Sequence, residues 1–200
     1  RDCLLSRGLG DVYKRQMIPR VGLRMQLSEI LNDLTYYGRG PEENYRDRRT
    51  SQFIGEYTTP IKDLYEPYIR PQENEHRTDI YWCALTTKQK AGLLFIADRT
   101  FELNASNYLL GSLDSGETID NGAPRTNETN HRHLTDPQPV KQVDMFIDYR
   151  MMGVGGDNSW GAIAHEPYLI RPGVENAIEY GFSIVPFDKK ADYKNLIYQY

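Results

Sequence analysis

Apolar and polar residues alternate with a period of two along most of the chain from Arg20 onward. In residues 21–27 (VGLRMQL), 143–149 (VDMFIDY) and 177–185 (AIEYGFSIV) every second position is apolar, which predicts strands with one buried face. Residues 78–87 and 91–98 are joined by KQK and predict a hairpin of two further strands. The apolar face expected for residues 177–185 consists of Ile178, Tyr180, Phe182 and Ile184.

Helical periodicity is weak throughout the chain. Residues 50–57, 105–113 and 191–200 are expected to form no more than a short helix or a turn or two. Clusters of Gly, Pro, Asn and Asp predict loops at 38–44, 70–75, 120–130, 135–139 and 171–176. Many strands with long polar connections favour an all-β fold, an antiparallel β-sandwich of two sheets.

Size and composition fit one soluble domain. The 200 residues are 39% hydrophobic and 26% charged, with 24 basic and 28 acidic residues and no long run of either sign. This distribution argues against a nucleic-acid partner, and apolar runs such as 92–97 are too short to span a membrane. Two cysteines, Cys3 and Cys83, are too few for a disulfide framework, and we expect Cys83 to be a packed thiol.

The first sixteen residues, RDCLLSRGLGDVYKRQ, have neither the apolar stretch of a secretory signal nor a periodic pattern that continues into the first predicted strand. They resemble translated linker sequence from assembled environmental reads. We therefore expect residues 1–16 to be a non-native leader, residues 17–188 to be a β-domain and residues 189–200 to be a C-terminal tail.

A glycine-rich stretch, MMGVGGDNSWG (151–161), ends in a tryptophan and a glycine. It is not a nucleotide-binding loop, because asparagine occupies the sixth place of G-x-G-x-x-G and no helical pattern comes after it. We expect a turn with positive φ angles at glycine, in which Asp157 and Asn158 bond to the local backbone. From the residues alone, Trp160 is either a core side chain or a ligand platform.

The sequence evidence for a metal site or a catalytic pair of carboxylates is weaker. His131 and His133 would share one strand face, as metal ligands can, but a third ligand is not evident and a structural role is favoured. Glycoside hydrolysis needs two carboxylates about 5 to 9.5 Å apart, and spacing cannot select such a pair among 28 acidic residues. The acidic residues of the polar loops are expected to be solvated or paired with arginine: Glu42, Glu43, Glu73 and Glu75. No catalytic or metal-binding residue is identified from the pattern.

Four motifs together resemble a known family. Residues 38–48 (GRGPEENYRDR), 65–74 (YEPYIRPQEN), 130–134 (NHRHL) and 152–161 (MGVGGDNSWG) are similar, in order and spacing, to the C-terminal domain of large bacterial β-galactosidases of glycoside hydrolase family 2. The resemblance covers residues 19–187. It implies a galactose-mutarotase-like supersandwich truncated at its N-terminal side, with the catalytic glutamates in an upstream barrel outside this chain.

The resemblance also implies a role for one residue. Trp160 would stack on the sugar at the aglycone side of the active site, with Asp157 and Asn158 supporting its loop. Implied partners are a β-galactoside, the upstream domains and further copies of the polypeptide, in the cytoplasm or periplasm. Family members commonly use Mg and Na ions held by other domains. A free-standing carbohydrate-binding or structural module is the alternative.

Other matched residues are expected to form scaffold. We expect Asn44, Asp47 and Arg48 to form a buried polar network that sets the shape of their loop, and two prolines to fix loops: Pro41 and Pro71. The family commonly has glycine where this chain has Glu75. If that position needs a positive φ, its turn is strained by about 1 kcal/mol.

Overall fold

The fold is a seven-stranded antiparallel sheet with very little helix. A computed structural model describes residues 17–68, 73–113, 137–158, 162–171 and 178–199. The strands are β1 (Arg20–Ser28), β2 (Asp33–Gly40), β3 (Phe53–Pro60), β4 (Arg77–Thr86), β5 (Gly92–Ser106), β6 (Gln142–Met151) and β7 (Phe182–Phe187). Their order is β1-β6-β5-β4-β2-β3, and β7 pairs with β5. The predicted all-β antiparallel fold class is confirmed.

The long strand β5 organises this sheet. One edge of β5 pairs with β4, while the other edge is shared by two strands. Its first part pairs with β7, from Gly92 opposite Phe187 to Ala97 opposite Phe182. Its last part pairs with β6, from Glu102 opposite Asp148 onward. The described strands therefore form one hydrogen-bonded network that divides at β5.

The main core lies on one face of this network. Most of its fully buried side chains come from β2, β4, β5 and β6, with Ile61 from the 3-10 turn Ile61–Asp63 after β3. Partly buried residues of both edge strands, β1 and β3, pack against them. Strands from opposite ends of the sheet thus share one core, as in a sandwich. The larger members of the core are Leu34, Tyr36, Ile61, Ile80, Leu85, Phe95, Phe101, Leu103, Met145 and Ile147.

Alternation along β4 supplies a second core on the opposite face. Cys83 and Leu85 point into the main core, whereas Trp82 and Ala84 join Leu94, Ile96, Val185 and Phe187 in the second core. The short helix at Tyr193–Leu196 covers this second cluster. Burial raises the pKa of the Cys83 thiol well above its usual range, as expected for a packed thiol.

Short helices were expected in three places and occur in two. Residues Leu110–Leu113 form α1, and Tyr193–Leu196 of the tail form α2, but residues 50–57 do not form a helix. They enter the edge strand β3, where Tyr57 lies opposite Tyr36 and their ring centroids are 5.5 Å apart. Cross-strand pairing decides the conformation there, because the segment has no strong helical preference of its own. Within the described ranges no helix is long and apolar enough to cross a membrane.

The last strand starts later than its pattern predicts. Strand β7 begins at Phe182, and only its Phe182 and the preceding Tyr180 pack against the main core. Ile184 is 49% exposed, whereas Val185 and Phe187 are buried against α2. The predicted inward face of residues 178–184 is therefore wrong for Ile184 and for Ile178, which is 38% exposed. The C-terminal helix packs on the other side of β7, where Val185 and Phe187 lie.

Two phenylalanines in strands test where the core lies. Phe95 is fully buried in β5, whereas Phe53 at the start of β3 is 73% exposed. Phe95→Ala should lower the free energy of unfolding by about 3–5 kcal/mol, because it leaves a cavity in the main core. Phe53→Ala should change it by less than about 0.5 kcal/mol. Urea unfolding followed by circular dichroism measures both free energies. Equal losses of stability in the two variants would show that the core is not where the structure has it.

Candidate functional site

The candidate site is built on the segment between β2 and β3, which Asn44 anchors. Asn44 is fully buried, and its Nδ2 donates to the carbonyl oxygens of Arg39 and Glu42 at 3.0 and 3.1 Å. Its Oδ1 accepts from the N–H and the hydroxyl of Thr78 at 3.0 and 2.6 Å. Its own N–H donates to the carbonyl of His76 at 2.7 Å. These bonds fix the segment to the start of β4.

Asp47, three residues further on, binds the glycine-rich loop that comes after β6. The N–H groups of Val154 and Gly155 donate to its two carboxylate oxygens at 3.1 and 2.8 Å. A Cβ at Gly153 would lie 2.5 Å from Asp47 Oδ2, so this approach requires glycine. Two backbone donors on one half-buried carboxylate make a strong, geometrically specific contact.

The glycine-rich loop then turns sharply and closes on itself. Gly155 and Gly156 have φ angles of +67° and +89°, as the sequence predicts. The N–H of Gly156 donates to the carbonyl of Ala162 at 3.1 Å, which joins the two sides of the loop at its base. Trp160 lies outside the described residues, between these two sides in the chain.

A second contact bridges the loop at the surface. Asp157 Oδ2 pairs with His165 Nε2, and the two side chains are 59% and 67% exposed. The hydrogen bond and charge of Asp157 raise the pKa of His165. Any stabilisation from this pair is present below the ordinary pKa of histidine and is lost as pH rises through the raised value. The described partner of Asp157 is therefore a side chain across the loop, and the residues just after Asn158 lie outside the described ranges, so the expected local backbone bonds stay a prediction.

A cleft of about 480 Å³ opens on the other side of the anchored segment. Glu43 lies at its inner wall and accepts hydrogen bonds from the hydroxyls of Tyr45, at 3.1 Å, and Tyr68, and from the N–H of Glu75 at 2.8 Å. Burial and the bond to Glu43 raise the pKa of Tyr68 to about 12. The cleft thus presents phenol hydroxyls and a carboxylate; its other lining residues include Arg48, Arg49, Thr50, Ser51 and Glu66.

Beneath the anchored segment lies a buried polar network. The His76 ring is fully buried, stacks on Tyr45 with centroids 5.4 Å apart, and bonds to Asn104 Oδ1 at 2.7 Å and Glu102 Oε2 at 3.1 Å. Arg20 of β1 bonds to Asn104 Oδ1 at 3.0 Å and forms an ion pair with Asp148 at 3.0 Å. Burial raises the pKa of Asp148 to about 7, against the charge of Arg20.

The expected loop network is correct in part. Asn44 is buried as predicted, but Arg48 is exposed. The backbone of Arg48 pairs with that of Tyr45, and its side chain lines the cleft. Glu73 is in an ion pair with Arg20 of β1 at 3.2 Å, an arginine outside the polar loops. Glu75 has a φ of +61°, which confirms the expected strained turn, but its carboxyl is buried rather than solvated.

Several predicted residues cannot be placed. His131, His133 and Pro71 lie outside the described residues, as does the proposed leader 1–16. Among the described residues, no group of three or more His, Cys, Asp or Glu side chains is arranged to hold a metal ion.

Asp47 gives a direct test of how the loop is held. Asp47→Ala should raise the hydrogen-exchange rates of the Val154 and Gly155 amides by about tenfold or more, since a hydrogen bond to a charged group contributes about 1.5–3 kcal/mol. Asp47→Asn should give a smaller effect, because one carbonyl acceptor remains. Asp63→Ala, which removes an exposed carboxyl, is the control. Unchanged exchange in Asp47→Ala would show that the loop is held by other contacts.

Comparison with known proteins agrees with this architecture. A family model described as beta galactosidase small chain matches residues 6–184. A beta-galactosidase of Priestia megaterium is 33% identical over 76% of the chain, one of Vibrio cholerae 32% over 76%, and one of Leuconostoc mesenteroides 31% over 80%. The chain spans only 13%, 13% and 14% of the length of these three relatives. The chain belongs to the beta galactosidase small chain family.

Proposed function

We propose that this chain is the C-terminal part of a retaining β-galactosidase that hydrolyses terminal β-D-galactosides such as lactose. The observation that carries the proposal is the family match over residues 6–184, together with relatives named beta-galactosidase. Because the chain spans 13–14% of the length of those relatives, most of such an enzyme lies outside it. The proposed partners are those other domains, of which one supplies the catalytic glutamates, and further copies of the polypeptide.

The proposed contribution of this chain is a sugar contact. Gly155 and Gly156 allow the sharp bend, Asp47 fixes the loop base, and the bond from Gly156 to Ala162 closes it. This bond brings together the described residues on either side of Trp160, and fixed flanking residues suit an aromatic platform. The indole of Trp160 would stack on the apolar face of the sugar at the aglycone side, contributing about 1 kcal/mol.

The state of the described carboxylates supports an external source of catalytic acids. Glu43 accepts three hydrogen bonds, and Glu102 accepts from the Met151 N–H at 2.6 Å and pairs with His76. Asp144 is held by two nitrogens of Arg24 at 2.7 and 2.8 Å. These three carboxylates are thus engaged in contacts within the chain, whereas a retaining mechanism needs two carboxyl groups about 5–5.5 Å apart at the sugar.

Replacement of Trp160 tests the sugar contact. In the full-length enzyme, Trp160→Ala should raise KM for lactose, or weaken transfer to sugar acceptors, by about fivefold, with a smaller effect on the first chemical step. Trp160→Tyr should restore part of the loss, because a ring remains. Tyr198→Ala, at a position 88% exposed in the tail, is the control. Unchanged kinetics in Trp160→Ala would favour a core role for this tryptophan.

The activity of the isolated chain tests whether the catalytic glutamates lie in other domains. The purified 200-residue chain should release no nitrophenol from a nitrophenyl β-galactoside above the level of a mock preparation. Turnover above that level would mean that the chain holds its own carboxylate pair. A free-standing carbohydrate-binding module would also be inactive, but its gene would lack an upstream barrel with two catalytic glutamates. Recovery of the intact gene separates these alternatives.

A further inference from the structure

Glu75 combines two unfavourable features in one residue. Its φ of +61° lies in the left-handed region, where a side chain with a Cβ is strained. Its side chain is also buried, with 1% of the residue exposed, and neither carboxyl oxygen has a hydrogen-bond partner in good geometry among the described residues. A carboxylate in such a place loses its hydration with little compensation, from the Ser106 hydroxyl and the charge of Arg77, whereas the neutral acid loses much less.

Among the described residues, the arginine whose charge acts on this carboxyl does not form an ion pair with it. Arg77 directs its guanidinium to the carbonyl of Glu75 at 2.7 Å, the carbonyl of Pro41 at 3.2 Å and the hydroxyl of Tyr36 at 3.2 Å. The buried hydroxyl of Tyr65 also lacks a hydrogen-bond partner among the described residues, and its pKa is raised by burial, by Tyr108 and by the charge of Glu75. The side chain of Glu75 therefore lies in a polar pocket without a strong ion pair.

The turn around Glu75 holds the cleft on which Glu43 and Tyr68 lie. The N–H of Glu75 donates to Glu43 Oε2 at 2.8 Å, and Glu43 in turn accepts from the hydroxyl of Tyr68. The neighbouring Asn74 exchanges two hydrogen bonds with the backbone of Glu66, at 2.9 and 2.7 Å. Movement of this turn would consequently remove the hydrogen bonds that hold Glu43 and Glu66, which line the cleft.

We propose that Glu75 is a proton-controlled latch, which keeps the turn at residues 73–76 closed while its buried carboxyl is protonated and opens that turn when the carboxyl ionises. Ionisation places a second negative charge beside Glu43 at the point where the Glu75 N–H binds it. The strained left-handed backbone lowers the cost of opening further. This inference concerns the chain itself and holds whether or not Trp160 binds sugar.

The electrostatic surroundings agree with this direction. Burial raises the pKa of Glu75 to about 8; the Ser106 hydroxyl and the charge of Arg77 oppose the rise, and the charge of Glu43 adds to it. The ionisable groups facing Glu75 are thus Arg77 of β4, Glu43 of the anchored segment and Tyr65 after the 3-10 turn Ile61–Asp63, while Ser106 belongs to β5.

The sign of the pH dependence comes from linkage. The folded state retains the proton up to about pH 8, whereas the unfolded state loses it near the ordinary value of 4.5. Stability contributed by the neutral acid is therefore complete below pH 4.5 and falls as pH rises toward 8. One proton of difference corresponds to a fall in the folding equilibrium constant of up to about tenfold per pH unit within this window.

Substitution at position 75 tests the latch. Glu75→Gln keeps the shape and the strained φ but removes the titration. Between pH 6 and pH 8 the equilibrium constant measured by urea unfolding should therefore fall about 50-fold less than in the wild type. Glu75→Gly removes the strain as well and should show the same loss of pH dependence. Glu29→Gln, at an exposed position, should keep the wild-type profile.

A local measurement distinguishes the latch from a general effect of pH. In the wild type, the Glu75 amide should exchange faster at pH 9 than at pH 6 after correction for the intrinsic rate, by about tenfold or more, while the amide of position 75 in Glu75→Gln should not. Wild-type and Glu75→Gln profiles that coincide, or a Glu75 amide whose corrected exchange does not change with pH, would overturn the proposal.

Discussion

The contact between Asp47 and the glycine-rich loop is the constraint on which the candidate site depends. It joins Asp47 to the backbone N–H groups of two residues that lie 107 and 108 positions further along the chain. Those N–H groups lie beyond the end of β6, where the sheet no longer supplies acceptors, and a buried donor without an acceptor is costly. Asp47 satisfies both donors with one side chain. The position of the loop is therefore set by the segment that carries Asp47, and through Asn44 by β4.

The segment that carries Asn44 and Asp47 is itself held in place, because it packs on the buried polar network of His76. Tyr45 stacks on the buried His76, and His76 bonds to two side chains of β5, Asn104 and Glu102. Glu102 lies opposite Asp148 of β6, and a Cβ at Gly22 of β1 would come within 2.0 Å of Asp148 Oδ1. A polar network of this kind rigidifies a structure when most of its members are paired. A chain of side-chain contacts therefore connects the edge strand β1 with the segment that carries Asp47, and through Asp47 with the glycine-rich loop.

The local sequence pattern predicts those parts of the fold whose backbone conformation is set by residues close together in the chain. Strands β1 and β6 are predicted by alternation, β4 and the first part of β5 as a hairpin, and the positive φ angles of Gly155 and Gly156 by residue type. Strands β2 and β3 were not predicted, because glycines and polar residues interrupt their alternation and cross-strand pairing fixes their conformation. The Asp47 contact could not be predicted from spacing, since 107 residues separate its partners. The strained φ of Glu75 was expected from the resemblance, whereas the burial of its carboxyl depends on packing that no local pattern records.

The two contacts of the glycine-rich loop differ in how strongly they can position it. The pair of Asp157 and His165 is exposed, so solvent and salt screen it and its contribution is small. The Asp47 contact is half-buried and uses backbone donors that do not titrate, so it keeps its geometry over the range in which histidine changes charge. The pH-sensitive group of the neighbouring turn, Glu75, acts on Glu43 and the cleft rather than on Asp47. Opening of the turn at residues 73–76 would therefore alter the cleft while the base of the glycine-rich loop stays in place, which separates the proposed latch from the proposed sugar contact in physical terms.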